Sequence, residues 1–133
     1  MNTVSPIPIK RRPRMTKQGH AYSDTKTKAD ERNVADSYDG EFYATEPLAL
    51  IVNIYQALPE SKQKLVRQDF TIKPDVDNVL KAVMDGLNCR AYSDDQQITT
   101  AIVRKHPRTR DIQGEYITYQ LIPEKDLNGI QQN

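Results

Sequence analysis

The run Pro47-Leu-Ala-Leu-Ile-Val-Asn-Ile-Tyr55 constrains the fold most, because both of its alternating sets are apolar. Leu48, Leu50, Val52 and Ile54 lie on one side of an extended chain and Ala49 and Ile51 on the other, so a strand here has two faces to bury and belongs inside a sheet. A central strand needs neighbours. Ile98 to Arg104 and Glu115 to Ile122 supply them, joined by an exposed loop with Pro107 and Gly114. Val4 to Ile9 alternates weakly and is broken by Pro6 and Pro8, which restricts it to a short or edge strand.

Two helices fit between these strands. Val76, Val79, Leu80, Val83, Met84 and Leu87 form one stripe of a helix over Val76 to Leu87, with Asp75 in the N-cap position and Gly86 and Asn88 where it should stop. An earlier helix within Ser23 to Tyr38, capped by Asp24 or Thr25 and ended by Asp39-Gly40, is poor in large apolar residues and is expected on a surface. Residues 56 to 73 read as a polar, Lys-rich loop, or a loop with a short helical turn. The order β-α-β-α-β-β predicts an α+β fold with two helices on a small mixed sheet. A chain of 133 residues supplies one domain, with a folded core at 4 to 122 and frayed ends at 1 to 3 and 124 to 133.

Some functional classes drop out. No apolar stretch approaches the roughly 20 residues of a membrane span, and the N-terminus lacks a secretory core, so a cytoplasmic protein is expected. Cys89 is the only cysteine, which excludes an internal disulfide and, with only His20 and His106 beside it, a zinc site of the Cys/His type. It is expected to be a buried or half-buried structural residue. Any bound metal should be hard and oxygen-liganded.

The net charge of +1 conceals a segregation of signs. Before Asp24 there is no acidic residue, and the arm carries Lys10, Arg11, Arg12, Arg14 and Lys17. Further basic stretches hold Lys62, Lys64, Arg67 and Lys73, then Arg104, Lys105, Arg108 and Arg110. Between these two lie Asp75, Asp77, Asp85, Asp94 and Asp95. Basic flanks around an acidic centre suit a protein that grips a polyanion and sets a metal ion against it, although charge runs also occur as plain solvated surface.

At about 100° per residue, Asp77, Lys81, Asp85 and Asn88 share a strip of roughly 80° on the helix flank, with Asp75 beside its start. If the Asp94-Asp95 turn folds back onto that start, three or four carboxylates converge. A divalent cation removes the repulsion of such a group, and Mg²⁺, with its preference for oxygen ligands and retained waters, suits it. Lys81 is then placed to stabilise charge on a phosphate in transit. Each residue also has an ordinary reading: Asp75 as N-cap, Asp77 favoured by the helix dipole with Lys81 as its i,i+4 partner, and Asp94-Asp95 as a turn. An EF-hand is excluded, because Val79 and Leu80 stand where an oxygen ligand and a glycine are required. A phosphotransfer aspartate would end an apolar strand, whereas here the pair opens a helix.

The segment Lys73-Pro-Asp-Val-Asp-Asn-Val-Leu-Lys-Ala-Val-Met-Asp-Gly-Leu-Asn, followed by Ala91-Tyr-Ser-Asp-Asp-Gln-Gln-Ile, resembles the signature of the RusA family of Holliday junction resolvases, and Arg12-Pro-Arg14 with Tyr22 is similar to that family's basic element. The resemblance covers most of residues 4 to 122. It implies that Asp75, Asp77 and Asp95 bind Mg²⁺, with Mn²⁺ as a substitute, and that Lys81 is a catalytic lysine. Arg12, Arg14, Lys17 and Lys73 would contact DNA, and Asn78, Asp85 and Asp94 would support the site. It further implies a homodimer that cuts four-way junctions by paired symmetrical nicks in recombination and repair, which agrees with the two-fold symmetry of the substrate. Two readings from other classes stay open: a protein that binds branched DNA without cutting, and a purely structural or partner-binding domain without salt-dependent DNA affinity.

Overall fold

A computed structural model describes residues 1–22, 24–58 and 74–128. The strand expected from the two-sided apolar run is β4 (Leu48–Tyr55), the element around which the rest assembles. It pairs in parallel with β5 (Ile98–Lys105) and antiparallel with β6 (Tyr116–Pro123), and β6 pairs on its far side with β1 (Asn2–Val4). The sheet is therefore mixed, in the order β1-β6-β4-β5. Across β4, Val52 stands opposite Val103 and Tyr119, and Tyr55 opposite Tyr116. The Tyr55 ring stacks between His106 and Tyr116, with centroids 4.5 and 5.0 Å away.

The helices are α1 (Thr25–Ser37) and α2 (Val76–Leu87), the latter with the bounds its periodicity predicts. Both bury one face against the same side of the sheet. Val34, Val79, Val83 and Leu87 pack with Leu50, Val52, Ile54, Ile117 and Tyr119 in a single core. Each fully buried aliphatic side chain there contributes about 1.5–3 kcal/mol before chain entropy is counted. The α1 helix is less superficial than expected. It is held by small and polar groups rather than large apolar ones: Thr27, Asp30 and Val34 are buried, and Ser37 Oγ bonds Tyr119 Oη at 2.7 Å.

The crossover from β4 through α2 to a parallel β5 places the site. A helix returning between parallel strands runs opposite to them, so Asp75 lies beside the carboxyl ends of β4 and β5, and the Asp94-Asp95 turn beside their beginnings. Crevices outside strand carboxyl ends are where open sheets bearing helices bind ligands.

Several expectations are corrected. The first strand lies at Asn2–Val4, before the prolines, so Asn2 and Thr3 are paired into the sheet rather than frayed. The basic arm contains a small hairpin, β2 (Arg14–Met15) with β3 (Ala21–Tyr22), whose turn uses Gly19 at φ +86°. Val76, counted in the apolar stripe, is 43% exposed. Gly86 does not stop α2. It lies inside the helix where α1 crosses: a Cβ there would meet Glu31 O and Val34 Cβ at 2.7 Å. Cys89 is exposed, in a left-handed turn at φ +65°. The Lys-rich connection from 59 to 73, with Lys73, lies outside the described residues, as does the end beyond 128.

Candidate active site

A cleft of about 1070 Å³ opens at the carboxyl edge of the sheet. Its walls are the arm from Pro6 to Pro13, the first turns of α2, Gln56 after β4, and Arg108 and Glu115 from the β5–β6 connection. Asp75, Asn78 and Lys81 from the start of α2 and Arg12 from the arm, four of the residues singled out by the sequence, all line it.

Asp75 has N-cap backbone angles, φ −74° and ψ 142°, yet its side chain accepts no capping hydrogen bond. The contrast with Asp24 is direct, since that carboxylate accepts from Lys26 N at 2.8 Å and Thr27 N at 3.3 Å. The capping account of Asp75 therefore fails, and an exposed carboxylate is left at the positive end of a helix. Asp77 is also exposed, on the first turn of α2, and does not line the cleft. No ion pair joins it to Lys81, so the i,i+4 explanation fails as well.

The cations of the cleft divide into two sets. Lys10 Nζ lies 3.0 Å from Asp85 Oδ2 and 3.8 Å from Glu31 Oε2, and its hydrogen bond to Asp85 raises its pKa. Arg11 Nη1 lies 2.9 Å from Asp30 Oδ2. Arg108 Nη1 donates to Ala57 O at 3.0 Å and lies 3.4 Å from Glu115 Oε2. Among the described residues, Arg12 and Lys81 take part in no ion pair, so their charge is available to an anion in the cleft. Lys17 is exposed at the tip of the β2–β3 hairpin, whose first strand carries Arg14.

Asp94, Asp95 and Asp85 belong to the other end of α2. The turn after the helix does not fold back onto its start. Tyr92 Oη donates to Met84 O at 2.6 Å, and Asn88 bridges to Tyr92. Asp94 caps the short 3-10 turn Asp95–Gln97 by accepting from Gln96 N at 3.0 Å, while Gln97 Oε1 accepts from Asp94 N at 3.1 Å. The Asp95 carboxyl is raised above its ordinary range, first by a hydrogen bond with Asp94, then by partial burial and the charges of Asp94 and Asp85. The 12 residues of α2 place this group about 18 Å along the axis from the Asp75 end.

Sequence reasoning missed Gln56, Arg108 and Glu115 as cleft residues. Arg108 was visible only as part of a basic stretch, and Gln56 only as the first polar residue after an apolar strand. Their meeting with Asp75 depends on the parallel crossover, which local periodicity does not encode.

Among the described residues, no group of three His, Cys, Asp or Glu side chains stands together as a metal cage. A hard divalent cation such as Mg²⁺ does not need one, since it is commonly held by one or two carboxylates with waters and substrate phosphates. The uncapped oxygens of Asp75, with Asp77 two residues on, fit that pattern.

A family model described as Endodeoxyribonuclease RusA matches residues 4–113. The uncharacterized protein YqaN of Bacillus subtilis (strain 168) is 36% identical over 81 residues, which are 54% of this chain and 57% of that protein. The match thus spans little more than half of the relative's length. The family match takes in the arm, both helices and the whole β4-α2-β5 crossover that builds the cleft, and on that ground the chain belongs to the RusA family of endodeoxyribonucleases.

Proposed function

We propose that the protein is a Mg²⁺-dependent endonuclease, with Mn²⁺ as a substitute, that resolves four-way DNA junctions by paired symmetrical nicks in recombination and repair. The observation that carries this reading is the carboxylate of Asp75, uncapped at a helix start, in one cleft with Lys81 and Arg12, cations that form no ion pair among the described residues. Family membership supports the substrate class. A cytoplasmic site of action accords with DNA as substrate, and no described helix is long and apolar enough to cross a membrane.

Asp75 and Asp77 are the residues that would hold the cation. When bound, it supplies positive charge against the scissile phosphate and a water of lowered pKa. Arg12 binds the phosphodiester backbone, and Lys81 offsets charge that develops on the phosphate oxygens. Asn78 lines the cleft and anchors the arm through its backbone oxygen. Asp95 lies at the far end of α2 within one protomer, so its part as a ligand calls for a C2 homodimer, in which Asp95 of one chain meets Asp75 and Asp77 of the other.

A synthetic four-way junction incubated with Mg²⁺ should yield ligatable nicks at symmetrical positions in opposing strands. Binding without nicks under any divalent cation would favour the non-cutting alternative. Affinity that does not fall with salt would remove the DNA reading altogether. The dimer has its own test. Asp75→Asn and Asp95→Asn chains, each inactive alone, should recover about a quarter of wild-type nicking when mixed, because half the dimers regain one complete site. Recovery of nothing would place all three aspartates in one chain.

A further inference from the structure

The segment Ile9–Lys10–Arg11 is bound to both helices at once. Its backbone donates from Ile9 N to Asp30 Oδ2 at 3.1 Å, from Lys10 N to Asn78 O at 2.9 Å, and from Arg11 N to Thr27 Oγ1 at 3.0 Å. Its side chains add the Arg11–Asp30 pair at 2.9 Å and the Lys10–Asp85 pair at 3.0 Å, with Glu31 Oε2 at 3.8 Å from the same ammonium. The helix pair already packs closely at Gly86 against Val34, without these polar contacts. The residue after the staple is Arg12, which is exposed, in no ion pair among the described residues, and in the cleft with Asp75 and Lys81. An arginine on a mobile loop loses backbone and rotamer freedom when it clamps a phosphate. Fixing the three residues before it removes the backbone part of that loss in advance.

We propose that Asp85 is a positioning residue: by pairing with Lys10 it staples the arm to α2 and sets Arg12 across the cleft from Asp75 and Lys81 as a preformed phosphate clamp. Its carboxylate is engaged by an ammonium, and it stands on α2 about 15 Å along the axis beyond Asp75. It therefore serves the site through the arm. The assignment rests on the nuclease reading for its purpose, and on the contacts alone for its mechanics.

The test measures junction Kd, KM and kcat for Asp85→Asn, Arg12→Ala, their combination, and the exchanged pair Lys10→Asp with Asp85→Lys. Hydrogen exchange is followed at the Lys10 and Arg11 amides in the same proteins. Asp85→Asn should raise Kd and KM about tenfold while kcat at saturation stays within about twofold. It should add nothing once Arg12 is alanine, since a residue that acts through another is silent in its absence. The exchanged pair should restore binding to within about threefold. An Asp85→Asn effect that persists in the Arg12→Ala background, or that falls on kcat alone, overturns the assignment. Should the wild type neither bind nor cut junctions, the nuclease reading fails, and the amides decide the staple: protection lost in Asp85→Asn and regained in the exchanged pair supports it, and unchanged protection overturns it.

Discussion

The two ends of α2 carry the same kind of side chain in opposite circumstances. At the start, Asp75 holds the N-cap position without accepting a capping bond, and Lys81 and Arg12 form no ion pair among the described residues. At the far end, Asp94 caps a turn, Asp85 is held by Lys10, and Asp95 has its pKa raised by its neighbours. An aspartate at a helix start is ordinarily explained by its cap. On the proposed reading, Asp75 is set apart by the absence of that partner, because a carboxylate that accepts no capping bond remains open to a cation.

The largest expected effect tests this contrast. Asp75→Asn should lower junction cleavage at least about a thousandfold, roughly 4 kcal/mol of transition-state stabilisation, with junction binding retained. Asp85→Asn should stay within about tenfold of wild type at limiting substrate, its whole loss lying in KM. Equal losses in kcat for the two variants would erase the distinction between the ends. The measurement is single-turnover cleavage of a four-way junction over a range of protein concentrations.

The next effect concerns how the two ends are held in register. Gly86→Ala places a methyl 2.7 Å from Glu31 O and Val34 Cβ, and the backbone oxygen leaves it no room. We expect a loss of about 1–3 kcal/mol in urea unfolding, as for an overpacked core, in place of the gain that alanine gives within an unconstrained helix. This residue also shows what a sequence can convey. The bounds of α2 were legible because its apolar stripe is strongly periodic, and the centrality of β4 because both its faces are apolar. Gly86, three residues before the exposed turn at Cys89, is indistinguishable by local pattern from a helix stop. Only the crossing of α1 shows it to be a packing residue. The position of Asp95 was hidden for a related reason. Sequence order puts it soon after the helix, but the strand to which that turn leads is parallel to β4, which fixes it at the end away from Asp75.

A smaller effect separates two aspartates in the same local position. Asp24→Ala removes an observed cap and should lower stability by about 1 kcal/mol, whereas Asp75→Ala removes none and should change it by under about 0.5 kcal/mol. Chemical denaturation of both variants in EDTA is the appropriate measurement. A loss on Asp75→Ala as large as that on Asp24→Ala would restore the capping account of Asp75.

The smallest effect is one of sign, since the two ends should answer acid in opposite directions. His106, stacked on Tyr55 at the carboxyl ends of β4 and β5 and bonded to Asn53 Oδ1 at 2.9 Å, has its pKa lowered by burial and by the charge of Arg104. A histidine depressed in the folded state contributes stability that is present above its unfolded pKa, near 6.5, and lost as pH falls through the folded value. Asp95 is raised, so its contribution is complete below the unfolded carboxylate range, near 3.9, and is lost as pH rises through the folded value. Thermal unfolding in EDTA should therefore show Asp95→Asn gaining over wild type as pH rises from 4 to 7. His106→Phe, which keeps the stack and cannot be charged, should lose less stability than wild type as pH falls from 7 to 5. If the gain of Asp95→Asn were the same at pH 4 as at pH 7, repulsion at the far end would be absent, and the contrast between the ends would rest on hydrogen bonding alone.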